Sequence, residues 1–145
     1  MGNAPASIGP AINVDTITRA LLNGDGTFSV TGLPYRGDGI VVAIPAHSAA
    51  FVTLDDSSDT DHLFPFVAAW VAKNASAITD NPAPFFRPRF FGSWFDSETG
   101  TLWLDIVEAF PREKLSEAIA AGIDRDQIAI WDNGRGEVIV PGAVD

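Results

Sequence analysis

The chain has 145 residues, 46% of them hydrophobic, with 19 acidic against 9 basic side chains and a formal net charge of −10. That is one domain of ordinary size, able to bury a core, and its charge disfavours direct binding to nucleic-acid phosphates, which needs a basic face. With no cysteine, disulfides, thiolate metal sites and cysteine nucleophiles are excluded together.

No apolar run approaches the roughly 20 residues of a membrane helix. The first residues lack the charged and apolar regions of a signal peptide. The expectation is a cytoplasmic protein with no membrane contact.

Residues 1–13 are small and contain Pro and Gly, so they read as a flexible segment ahead of a single domain over 14–145. Asp15 is placed to cap a short helix through about Leu22, with Ile17, Ala20 and Leu21 at helical spacing. Thr27 to Val30 reads as a strand, and Thr31 to Gly39 as a Gly- and Pro-rich connection holding Tyr35. Gly39 to Ile44 is a β-branched run expected to be a buried strand. Ala49 to Leu54 reads as a further strand, or the same one resumed beyond Pro45. The insert from Pro45 to Ser48 marks an edge, bulge or turn.

Asp55 to Asp61 is the densest acidic run. It lacks the spacing of a calcium loop, so these residues are assigned to capping the next helix. In that helix, about His62 to Ala77, one stripe carries Leu63, Phe66, Val67, Trp70, Val71 and Asn74. A proline-rich connector follows from Asp80 to Pro88, with Phe85 and Phe86 expected to pack beneath it.

Phe90 to Val107 carries the clearest hairpin signal. Asp96 and Gly100 bound a turn whose chemistry favours Asp first and Gly last. If Asp96 faces Thr101, then Trp94 faces Trp103, Gly92 faces Asp105 and Phe91 faces Ile106. Side chains alternate between the two faces of a strand. One face then carries Phe91, Phe95, Leu102, Leu104 and Ile106, a core face. The other carries Gly92, Trp94, Trp103, Asp105 and Val107. A slip of one residue would exchange them.

Pro111 suits the start of a third helix, with Leu115, Ala118, Ile119 and Gly122 on one face and Gly122 as its left-handed end. Gln127 to Trp131 and Glu137 to Val140 form a last hairpin. It echoes the first, with Asp132 in the place of Asp96 and Gly136 in that of Gly100, although Asn133-Gly134 offers a rival turn. Hairpins separated by single helices give an α+β fold: an antiparallel sheet of successive hairpins with two to three helices on one face.

The stretch Gly92-Ser93-Trp94-Phe95-Asp96-Ser97-Glu98-Thr99-Gly100-Thr101-Leu102-Trp103-Leu104-Asp105, followed by Gln127-Ile128-Ala129-Ile130-Trp131-Asp132, resembles small uncharacterised acidic proteins of actinobacterial phages and mobile elements. Those proteins show a similar "G-W-x-D-x-x-T-G-x-x-x-L-D" stretch, followed by a similar "Q-x-A-I-x-D" stretch. The likeness spans about two-thirds of the chain, by the reach of those patterns and of the Phe28 to Val30 strand. That group has no established activity, so the resemblance implies a source and no catalytic residues. The connector from Asn81 to Pro88 and the close pair Arg87 and Arg89 depart from it.

No phosphate loop, dinucleotide fingerprint or nucleophile elbow is present. No cofactor and no metal are expected. Among groups for acid–base work, His47, Asp105 and Glu108 are the candidates. Three residues of strand place Asp105 and Glu108 on opposite faces. The simpler reading has Asp105 bonded to nearby backbone or to Arg87 or Arg89, and His47 in a surface loop. Trp94, Trp103 and Asp105 are the candidate binding surface, since interfaces are enriched in aromatic residues.

The leading expectation is a non-enzymatic acidic protein that binds a macromolecular partner, a host protein modulated by a phage- or mobile-element-encoded factor. The alternatives are a small enzyme or ligand binder using Asp105, Glu108 and His47, and a self-assembling module that would make the chain a homo-oligomer.

Overall fold

The computed structural model describes residues 12–23, 25–53 and 61–143. It contains helices α1 (Val14–Asn23), α2 (Phe64–Thr79) and α3 (Leu115–Asp124). Its strands are β1 (Gly26–Phe28), β2 (Ile40–Val52), β3 (Arg89–Asp96), β4 (Thr101–Phe110), β5 (Ile130–Asp132) and β6 (Glu137–Ile139). All six join one antiparallel sheet in the order β1-β3-β4-β2-β5-β6. The fold is α+β.

The β3–β4 hairpin has the register its turn chemistry implies: Asp96 opposite Thr101, Trp94 opposite Trp103, Gly92 opposite Asp105. Asp96 Oδ1 accepts the Glu98 N–H at 3.0 Å, and Gly100 takes φ +66°. The β5–β6 turn repeats this. Asp132 pairs with Glu137, Asp132 Oδ1 accepts the Arg135 N–H, and Gly136 takes φ +64°. The rival turn at Asn133-Gly134 is not used.

Phe91, Leu102, Leu104 and Ile106 pack beneath Ile17 and Leu21 of α1 and Val67, Trp70 and Val71 of α2. Further along the same face, Ile40, Val42, Phe110 and Ile130 pack with Ala118 of α3. All three helices thus share one face, and this face holds most of the buried apolar surface that stabilises the domain.

β2 is continuous through Pro45 but irregular. From Ile44 to Ala49 it takes five residue steps while β4 takes two, from Ile106 to Leu104. The odd number of extra residues exchanges inside and outside positions along β2. His47 therefore turns toward the helices, and Ser48 toward the opposite face.

Several expectations are corrected. The first helix is capped by Asn13, whose Oδ1 accepts the Thr16 N–H, and not by Asp15. Asp15 lies inside the first turn, where it suits the helix dipole. Phe66 leaves the buried stripe of α2 and is 57% exposed. Phe85 and Phe86 project into solvent, at 94% and 78% exposure, rather than packing beneath their connector. Gly122 does not end α3, which continues to Asp124 and is followed by Asp126 at φ 55°. Gly122 is instead a close approach: a Cβ there would lie 2.9 Å from Pro141 Cγ. The assigned capping residues 55–60, Leu54, and residues 1–11 of the expected flexible segment lie outside the described residues.

Candidate functional site

The sheet face away from the helices is built from Val41, Ala43, Ala50 and Val52 of β2 and Phe90, Gly92 and Trp94 of β3. Thr101, Trp103, Asp105, Val107 and Ala109 of β4 complete its centre. Tyr35 covers one end, packing with Val41, Val107, Ala109 and Phe90, its ring 4.5 Å from that of Phe90. Its hydroxyl accepts the Gly39 N–H at 3.1 Å. Beyond this cover Thr101 is buried, and the two tryptophans are exposed. Trp94 is 54% exposed and Trp103 42%, side by side across the hairpin.

Asp105 is the next residue along this face from Trp103, one pleat repeat or roughly 7 Å away. Gly92 stands opposite it, so no side chain covers the carboxylate from that strand. Ser48 Oγ donates to Asp105 Oδ1 at 2.5 Å. Burial pushes the Asp105 carboxyl above its ordinary range, and the Ser48 hydrogen bond opposes this only in part. Trp94, Trp103 and Asp105 are therefore brought together, with Gly92 as the floor between them. No strand residue on this face is basic.

The sheet separates the other candidates from this group. Glu108 is on the helix side, 5% exposed, where Arg125 Nη2 donates to its Oε1 at 2.6 Å. Arg87 Nη1 lies 4.0 Å from the same oxygen, its guanidinium over the Phe110 ring. His47 also faces the helices, with Nδ1 3.0 Å from Asn74 Oδ1, while its carbonyl accepts the Trp70 indole N–H. Neither expected arginine reaches Asp105. Arg89 donates to the Ala77 carbonyl near the end of α2. Asp105, Glu108 and His47 thus form no common site.

Two ionic assemblies escaped the sequence. One is the Glu108 pair with Arg125, which ties α3 to β4. Extending the hairpin register two residues past Phe91 and Ile106 already sets Arg89 opposite Glu108, the signal that this acid sits among arginines. The other is Asp132, paired with Arg112, which also lies 3.9 Å from Asp38. Burial would raise the Asp132 carboxyl. The Arg135 N–H and the Arg112 guanidinium outweigh it and hold the group below its usual range.

Among the described residues, no group of His, Asp and Glu side chains could hold a metal ion, and no helix is long and apolar enough to cross a membrane. No protein-family model, curated protein or solved structure matches the chain.

Proposed function

We propose that this protein acts without catalysis, by binding a host protein through the open sheet face around Trp94, Trp103 and Asp105. One observation carries the reading. Two large aromatic side chains stand exposed beside a desolvated carboxylate, on a sheet face with no basic strand residue. Exposed aromatics are the residues that anchor interfaces. A net charge of −10 selects a basic partner surface and speeds encounter with it. The resemblance to proteins of actinobacterial phages and mobile elements supports a modulator acting on a host protein in the cytoplasm.

The test is capture from an actinobacterial lysate with the full chain and with Trp94→Ala plus Trp103→Ala. The wild type retains a discrete protein, released as salt rises, because screening weakens charge attraction. The double variant keeps its circular dichroism spectrum and loses that protein. Undiminished capture by a folded double variant overturns the assignment.

A further inference from the structure

The exposed tryptophan pair has carboxylates on either side of it along the strand direction. Asp96 lies two residues beyond Trp94 on β3, toward the turn. Asp105 lies two residues beyond Trp103 on β4, away from the turn. Side chains two apart in a strand share a face, so both acids stand on the face that carries the indoles. Asp105 is opposite Gly92, which is four residues from Asp96 on β3. The two carboxylates are therefore set about 13 Å apart along the strands, with the indoles between them. Asp25 adds a third acid. Extending the β1–β3 register by one residue sets it beside Trp94, and its Oδ1 accepts the Phe95 N–H at 2.8 Å.

These acids have no cation from their own chain. All nine Lys and Arg residues lie among the described residues. The ion pairs they form are with Asp38, Glu108, Glu117 and Asp132, and none involves Asp25, Asp96 or Asp105. Hydrogen bonds leave the carboxylates able to accept more. Ser48 Oγ donates to Asp105 Oδ1. Asp96 takes the Glu98 N–H on one oxygen and the Thr99 hydroxyl on the other. Each carboxylate oxygen can accept two hydrogen bonds.

We propose that this surface takes an extended basic segment of the partner protein, with two basic residues four apart. One meets Asp96, the other meets Asp105, and the residue midway between them lies on the two indoles. The inference rests on the partner reading above and specifies what the partner must present. Charge complementarity names the occupant, because the carboxylates beside the tryptophans are uncompensated within the chain. The spacing names its conformation. In an extended chain, residues i, i+2 and i+4 point the same way, and the outer two are about 13 Å apart. In a helix, i and i+4 are only about 6 Å apart along the axis, so such a pair reaches a single carboxylate. Arginine suits both ends. Its planar guanidinium is weakly hydrated, pairs with a carboxylate and stacks on an aromatic ring.

The test is titration of the full chain with three peptides, N-acetylated and C-amidated, followed by the NMR signals of the Trp94 and Trp103 indole N–H groups. The first peptide has the order Arg-Ser-Val-Ser-Arg. The second has the same residues with the arginines adjacent. The third has citrulline in place of both arginines. The spaced peptide is expected to bind about tenfold more tightly than the adjacent one, and the citrulline peptide to shift neither signal. Added salt weakens the spaced peptide. In Asp105→Asn, whose amide oxygen can still accept the Ser48 hydroxyl, the preference for the spaced peptide disappears. Equal binding of the spaced and adjacent peptides, or no shift at either indole, overturns the proposal. The two readings fail separately. Tryptophan-dependent capture from the lysate without peptide binding removes the segment and keeps the partner. Spaced-peptide binding beside undiminished capture by the double variant keeps the segment and removes the captured protein as its source.

Discussion

Replacing Arg125 with methionine isolates the ion pair that joins α3 to the sheet. Glu108 lies on the helix side between the two apolar clusters, with a side chain only 6% exposed. Arg125 is its close partner at 2.6 Å, and Arg87 at 4.0 Å is distant and far more exposed. Breaking a buried pair by removing one member costs roughly 3–5 kcal/mol, because the remaining charge stays desolvated. Arg87 moderates this toward the lower end. The lost hydrogen bond to Ala43 O adds about 1 kcal/mol. Arg125→Met is therefore expected to lose about 3–4 kcal/mol of a total of order 5–15 kcal/mol. In urea that moves the unfolding midpoint down by roughly 2 M, for a slope of about 2 kcal/mol per M. Adding Glu108→Gln removes the stranded charge and recovers about half of the loss; since Glu108→Gln alone also destabilises by breaking the pair, the cycle shows a coupling of at least roughly 2 kcal/mol. A single-variant loss under about 1 kcal/mol, or a cycle additive within about 0.5 kcal/mol, refutes the reasoning.

Asp105→Asn tests the burial of the open-face carboxylate. Its folded pKa is raised, so its contribution is full below the unfolded pKa and is lost as pH rises through the folded pKa. The variant is expected to be the more stable protein near neutral pH, with the gap closing at about pH 3 in paired urea titrations; a gap that widens on acidification is the contrary result. Asp132 has the opposite sign. Its pKa is lowered, so its contribution exists above the unfolded value and is lost as pH falls through the folded one. An NMR titration should place its carboxyl midpoint below about 3.9, and Arg112→Met should raise it. The two turn glycines separate backbone strain from crowding. Gly136→Ala meets only its positive φ and is expected to cost about 1 kcal/mol. Gly100→Ala also sets a Cβ 2.8 Å from Thr53 Oγ1 and should lower the melting temperature further; equal losses would mean that Thr53 moves aside freely.

Local turn chemistry made the hairpins legible. Asp96 and Gly100 fixed the turn, the turn fixed the register, and the register divided Phe91, Leu104 and Ile106 from Trp94, Trp103 and Asp105 as observed. What stayed hidden depends on contacts distant in sequence. The hydrogen bond from Ser48 to Asp105 exists because β2 gains extra residues opposite Ile106 and Leu104, a mismatch that only the paired strands reveal. Helical spacing assigns Phe66 to the stripe of Val67 and Trp70. It cannot show that β5 pairs only with Ile40 and Val41, so that no described strand lies on that side of Phe51, whose ring is 6.3 Å from that of Phe66. Gly122 likewise looks like a helix stop by composition, whereas Pro141 and Ile130 crowd against it from remote parts of the chain.

Asp105 also gives the proposed binding face its own pH signature. Burial raises the carboxyl, so the ionised form in the free protein is held in an unfavourable setting. The core on the helix face closes without it, and the neighbouring tryptophans remain in water. A lysine or arginine of the partner docked against Trp103 would stabilise that ionised form by charge and by the aromatic face. Partner binding should then lower the Asp105 pKa. By linkage, affinity falls as pH drops through the raised pKa of the free protein, and the fall disappears in Asp105→Asn. Titration calorimetry with the captured partner over that range reads both effects. An affinity that rises on acidification, or a pH dependence unchanged in the variant, would show that Asp105 does not meet a cation there.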